Sequence, residues 1–350
     1  MKLLGRYNNF SFIFIVITAF LFACGDENKP EKPKINKTQT QVKAQKQIIV
    51  SKPAFSADSA YKYTEQQVAF GPRVPNTEAH EKAAKFLAEK LKSFGIETMV
   101  QEGRMKAFNG KTLNVKNIIG SINPEAKHRI LLMSHWDSRP FADQDTKDRT
   151  KPIDGANDGA AGVGVLLEIA RQLSINPPKN IGVDFIFFDA EDYGQPAESM
   201  QQYQPDSWCL GSQYWAMNPH KPGYTADYGI LLDMIGAKNA LFTKESISMQ
   251  YAPQVMNEVW SIATQLGHQN HFINQQTQFV GTDDHYYVNK LAGIPTIDII
   301  QYDPNTGAFG SYWHTHNDNM EVIDKETLQA VGETVLAFIY KKDKEFSGNN

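Results

Sequence analysis

Cysteine is scarce in this chain: two of 350 residues, Cys24 and Cys209. That excludes a disulfide framework and a structural zinc site built from several thiolates. Basic charge is not in excess either, since the net charge is −4. The charge is unevenly spread. Residues 1–52 hold nine Lys and Arg against three Asp and Glu, a balance of +6, which leaves −10 on the remainder. So acidic a body lacks the basic patches that nucleic acid binding requires, although it has room for carboxylates around a metal. Long apolar runs are lacking as well. Phe10 to Phe22 is thirteen residues, short of the roughly 20 needed to span a bilayer. With 41% hydrophobic and 21% charged residues, the composition is that of a globular protein, and collagen-like, coiled-coil and disordered chains are excluded.

What the front of the chain does contain is Lys2 and Arg6, the short apolar run, and then Leu21-Phe22-Ala23-Cys24-Gly25. A basic start, a short apolar stretch and small residues before a cleavage point make an export signal. Leu-x-Ala-Cys resembles the bacterial lipoprotein signal, which implies removal of residues 1–23 and a lipid on Cys24. The alternative is an ordinary signal peptide with a chance cysteine. The lipoprotein reading implies anchoring in the cell envelope of a Gram-negative bacterium, facing the periplasm or on the outer membrane. Residues 24–52 are rich in Lys, Pro, Gln and Asn and read as a solvated tether. One domain is expected over 53–345, followed by a tail at 346–350. Cys209, alone in an oxidising compartment, reads as a small buried hydrophobe.

Within the body, Thr77 to Phe94 has helical spacing, and helices are also expected over Ala160–Leu173, Ala252–Leu266 and Lys325–Tyr340. Leu113–Ile122 and Arg129–Ser134 read as strands. Gly182–Phe188, Tyr228–Met234 and Pro295–Ile300 are near-continuous apolar runs, typical of strands buried on both faces. Buried strands alternating with helices predict an α/β fold, a three-layer sandwich around a central, mostly parallel twisted sheet.

Ligands of such sheets gather beyond the carboxyl ends of the strands. There the sequence places His135 and Asp137, then Asp189, Glu191 and Asp192, then Asp233. Asp154-Gly155-Ala156-Asn157-Asp158-Gly159 precedes a helix, and Trp313-His314-Thr315-His316-Asn317-Asp318 comes near the end. Each piece has an ordinary explanation. Asp158 can be a helix N-cap, His314 a surface histidine, Asp233 an inert strand-end carboxylate. The glycines at 155, 159, 162 and 164 lack the Gly-Lys-Ser/Thr of a phosphate loop, and small residues that let the backbone pass close are the better reading. Together, converging carboxylates repel one another unless a cation compensates. Asp, Glu and His donors suit Zn²⁺ with an open position.

His-Trp-Asp-Ser, Gly-Ala-Asn-Asp-Gly, Phe-Phe-Asp-Ala-Glu-Asp, Leu-Leu-Asp-Met-Ile-Gly and Trp-His-Thr-x-x-Asp, in that order, resemble the zinc aminopeptidase fold over roughly residues 60–340. Within it the sequence is most similar to animal-type glutaminyl cyclases. The segment from Asp206 to Ser212, Asp283-Asp284-His285, and Phe309 four residues before Trp313 carry that likeness. The resemblance implies one zinc held by Asp158, Asp192 and His314, with Glu191 as proton shuttle and Asp233 and Asp283 as its hydrogen-bonded partners. Phe309 and Trp313 would line the substrate pocket, with His285 beside it. Two departures stand out. The family usually has Glu where this chain has Asp192, and Ser134 and Val163 occupy the positions of a disulfide found in secreted animal members.

The implied reaction converts N-terminal Gln of peptides and proteins to pyroglutamate with release of ammonia. The attack is intramolecular, so proximity is already supplied. An aminopeptidase would use the same groups differently, with a second metal on His135 and Asp233. Every ligand position for two metals is occupied, so ligand count separates neither reading. A third alternative is a lipoprotein binding module that kept the fold and lost catalysis.

Overall fold

The computed structural model describes residues 52–278 and 280–347. The export signal, the lipid position Cys24 and the tether up to residue 51 lie outside the described residues. Among those described, no helix is long and apolar enough to cross a membrane.

In chain order the elements are α1 (Ala57–Val68), α2 (Glu78–Ser93), β1 (Glu97–Lys106), β2 (Thr112–Ile122), β3 (Arg129–His135), α3 (Gly162–Ile175), β4 (Gly182–Phe188), α4 (Leu210–Met217), β5 (Tyr228–Asp233), β6 (Phe242–Lys244), α5 (Ser246–Tyr251), α6 (Pro253–Leu266), β7 (Phe272–Gln276), α7 (Asp284–Tyr287), β8 (Thr296–Ile300) and α8 (Lys325–Phe346). Six strands form one sheet in the order β1-β2-β4-β3-β5-β8, and β6 and β7 form a small second sheet. The four strands β4, β3, β5 and β8 pair in parallel. The other two pair antiparallel. The sheet is therefore mixed, parallel over its functional half.

The antiparallel edge has a local cause. Five residues, 107–111, join β1 to β2, and a connection that short can only link antiparallel neighbours. Gly110 supplies the positive φ of 82° at the turn. β1 escaped the sequence pattern because it is an edge strand whose residues are all exposed or half-buried.

In the parallel half, successive side chains go to opposite faces. Ile130, Leu132, Val183, Phe185, Ile230, Leu232, Ile297 and Ile299 belong to the larger core, shared with α3, α6 and α8. Leu131, Met133, Ile186, Phe188 and Leu231 face a smaller core with Trp215 of α4. That gives three layers. Because β3, β4 and β5 run the same way, His135, the 189–192 segment and Asp233 emerge at one edge.

α3 begins at Gly162, two residues later than expected. Before it, residues 156–161 make one wide turn broken at Asp158 (φ −85°, ψ 89°) and Gly159 (φ 104°, ψ −59°). Asp158 is thus not the helix N-cap. A Cβ at Gly159 would stand 2.7 Å from the Asp137 carbonyl oxygen and 3.0 Å from the His135 ring. Only glycine lets the chain pass so close to the end of β3.

Candidate active site

Asp158 comes from the broken turn, Asp192 from the segment after β4, and His314 from the loop between β8 and α8. One ligand atom of each lies within 4.8 Å of the other two. His314 Nε2 is 3.3 Å from Asp192 Oδ1 and 3.7 Å from Asp158 Oδ2. Its other nitrogen, Nδ1, is 3.3 Å from Asp143 Oδ1. A carboxylate behind the second ring nitrogen is how metal-ligating histidines are commonly oriented.

Peptide groups fix the backbone of these segments. Asp318 accepts the N–H groups of Asn157 and Asp158 at 2.8 and 3.0 Å. Asp137 accepts those of Glu191 and Asp192 at 3.1 and 3.3 Å. Arg139, fully buried, donates to the Asp192 carbonyl oxygen at 2.9 Å and to both oxygens of Asp143.

A second group shares Asp158. His135 Nε2 lies 3.0 Å from Asp158 Oδ1 and 3.2 Å from Asp233 Oδ1. The residues expected to hold two metals therefore lie in two adjacent groups that have Asp158 in common.

So many buried acids strain one another electrostatically. Burial, then Asp158, raises Asp192 to about 6. Burial, with Asp283 and Asp158 adding to it, raises Asp233 to about 7. Glu191 is pushed well above the carboxylate range, first by burial and then by Asp192, Asp283 and Asp284. Burial works against protonation of His135, yet its contacts with Asp137, Asp158 and Asp233 outweigh that and lift it well above its ordinary value. A cation relieves this repulsion. Asp192 Oδ2 is buried without a hydrogen-bond partner, and two carboxylates plus an imidazole are donors that Zn²⁺ accepts. The residues fit the metal.

Glu191 belongs to a different group; the chain bends after β4, with Ala190 at a φ of 53°. Its Oε1 accepts from the Cys209 thiol at 3.2 Å, and Asp283 completes a cluster with these two. Cys209 is buried as expected, but it contacts a carboxylate rather than packing as a plain hydrophobe. Asp233, expected beside Glu191, is hydrogen-bonded to His135 instead. Asp283 caps α7 through the Asp284 N–H.

Asp158, Glu191, Asp192, Asp233, Asp283 and His314 line one cavity of about 260 Å³. Phe309 and Trp313 pack at 4.8 Å on its wall, and Trp313 stacks on His314 at 3.7 Å. His285 lines the same cavity. So do Trp208, Tyr203, Glu245 and Asp298, which sequence reasoning did not single out. Trp208 lay inside a quoted motif without a role; its ring lies parallel to His314 and under the Arg139 guanidinium. Asp298 was visible as one carboxylate in an apolar run.

The chain matches the model of peptidase family M28 over residues 117–339. Its structure resembles the glutaminyl cyclase of Tannerella forsythia, at 56% identity and TM-score 0.80, covering 82% of this chain and 99% of that one. A Zn-dependent exopeptidase of Parabacteroides distasonis is 55% identical, with TM-score 0.80 and coverage of 83% and 99%. The glutaminyl-peptide cyclotransferase of Boiga irregularis is 27% identical over 251 residues, 64% of this chain and 64% of that protein's own length. The family match runs from β2 into α8 and takes in every strand end that carries a site residue: the chain belongs to peptidase family M28.

Proposed function

We propose that this protein is a zinc-dependent glutaminyl-peptide cyclotransferase acting on peptides and proteins with N-terminal Gln. What carries the reading is the 56% identity to a glutaminyl cyclase over 99% of that chain. Asp158, Asp192 and His314 would hold the zinc, which when bound supplies a Lewis acid for the γ-carbonyl. Glu191 takes the proton of the α-amine as the C–N bond of the ring forms. It returns that proton to the side-chain nitrogen, which leaves as ammonia. Burial among carboxylates favours the protonated form of Glu191, so it can hold the proton between the two steps. Asp283, in contact range of Glu191, assists it. Phe309 and Trp313 form the wall against which the first residue packs. Trp313→Ala should lower kcat/KM by a larger factor than any loss its lower Tm explains; parallel losses in both would make the ring a packing residue only.

The assembled set of His135, Asp158 and Asp233 favours a second reading, a two-metal aminopeptidase. Incubation with a Gln-initiated peptide decides between them. Loss of one ammonia, with the peptide otherwise intact, supports the cyclase; loss of the first residue supports the aminopeptidase.

The lipid anchor rests on Leu21-Phe22-Ala23-Cys24. Cys24→Ala should move the protein from the membrane to the soluble fraction of the producing cell. Unchanged membrane partition would count against the anchor and the envelope location.

A further inference from the structure

Past Glu191 the cavity continues into a group of side chains that the cyclisation chemistry does not use as ligands. Asp283, His285 and Asp298 each offer one ligand atom, and these lie within 4.8 Å of one another. That is the same closeness shown by Asp158, Asp192 and His314. Their residues are 6%, 1% and 1% exposed. Their hydrogen bonding is incomplete, for Asp283 Oδ2, Asp298 Oδ1 and both ring nitrogens of His285 have no aligned partner. Buried polar groups are nearly always paired, so each exception calls for a reason.

The surroundings supply one. Glu245 is fixed as the N-cap of α5, where its carboxylate accepts from the Ile247 and Ser248 N–H groups. Its Oε1 is 3.3 Å from His285 Nε2. On the opposite side of the ring, Nδ1 faces Asp298 Oδ2 at 3.7 Å. A histidine backed by a carboxylate on one nitrogen and facing further carboxylates with the other has the orientation of a metal ligand. His314, between Asp143 and the Asp158–Asp192 pair, has the same one. Repulsion among Asp283, Asp298 and Glu245 points the same way, toward a cation.

We propose that Asp283, His285 and Asp298, with Glu245 orienting the histidine, form a second divalent-cation site that takes Zn²⁺ from the substrate cavity. The donor set of two carboxylates and one imidazole leaves a fourth position open to the cavity. Ligand atoms around one tetrahedral zinc stand roughly 3.3 Å apart, so the group needs to close only slightly. Asp283 faces Glu191 on one side and this site on the other. Where Asp283 assists Glu191, which rests on the cyclase reading, a second ion would restrain Asp283 and excess zinc would slow turnover.

Binding is measured without reference to turnover. The purified chain, dialysed against buffered free Zn²⁺ up to the millimolar range, should take up two ions, and His285→Gln and Asp298→Asn should each take up one. His135→Gln should still take up two. Crystals of the unaltered protein soaked in zinc should give an anomalous peak among Asp283, His285 and Asp298, which decides the matter if either variant fails to fold. Uptake of a single ion, a second ion lost in His135→Gln but kept in His285→Gln, or no peak at that position would overturn the proposal. Failure of the cyclase reading would be seen separately, as absence of ammonia release.

Discussion

Glu191→Gln should lower turnover of a Gln-initiated peptide by roughly 10²–10⁴-fold, the usual contribution of general acid–base catalysis, with zinc content unchanged. The substitution keeps the side chain's shape and its Oε1 acceptor, so the Cys209 thiol retains a partner. It touches neither Asp158, Asp192 nor His314. Tm should not fall, because Gln keeps the size of the side chain and is neutral, as Glu191 is favoured to be among Asp192, Asp283 and Asp284. Three measurements check it: steady-state ammonia release, metal content and a melting curve. Near-full activity would make the shuttle assignment wrong and turn attention to Asp283 or Asp233.

Asp192→Ala should fail in a different way, losing zinc and activity together. Loss of a supporting hydrogen bond alone commonly costs about 10–100-fold in metal affinity, and loss of a ligand should exceed that. A ligand that binds only the folded state stabilises it. Chelation should therefore lower the Tm of the unaltered protein and leave that of Asp192→Ala unmoved. The effect of pH follows from the same carboxylate. Without metal, Asp192 is raised to about 6, and zinc must displace any proton there. Zinc affinity should fall as pH drops through that value, and uptake near pH 6 should release protons. A variant that kept full zinc content, or an affinity flat from pH 7 to 5, would remove Asp192 from the ligand set.

The parts of the molecule that were readable in the sequence share a physical cause. β3, β4, β5 and β8 are buried on both faces, so each is an apolar run whose end is marked by an abrupt polar residue. Parallel pairing then brings those ends together, and with them His135, Glu191, Asp192 and Asp233. Asp158 does not cap the helix that follows it, because the break at Gly159 depends on how close β3 passes. β1 lacks a buried face and so lacks a pattern. Arg139 and Asp192 are 53 residues apart in the chain, and no periodicity links them. Asp298 was read as strand, although a carboxylate inside Thr296–Ile300 is out of place there. The thiol of Cys209 was treated by residue type, and type does not say which atom it faces.

Asp137 and Asp318 each grip two consecutive peptide N–H groups, and the gripped residues include Asp158, Glu191 and Asp192. The segments that carry Asp158 and Asp192 are thereby held by their main chain, independently of what their side chains bind. A carboxylate one methylene longer than Asp192 would start from the same anchored peptide and reach past the position of the Asp192 oxygens unless the whole segment withdrew. Side-chain length at 192 and the seating of its loop thus form one inherited unit, and exchanging the residue alone separates two things that fit only as a pair.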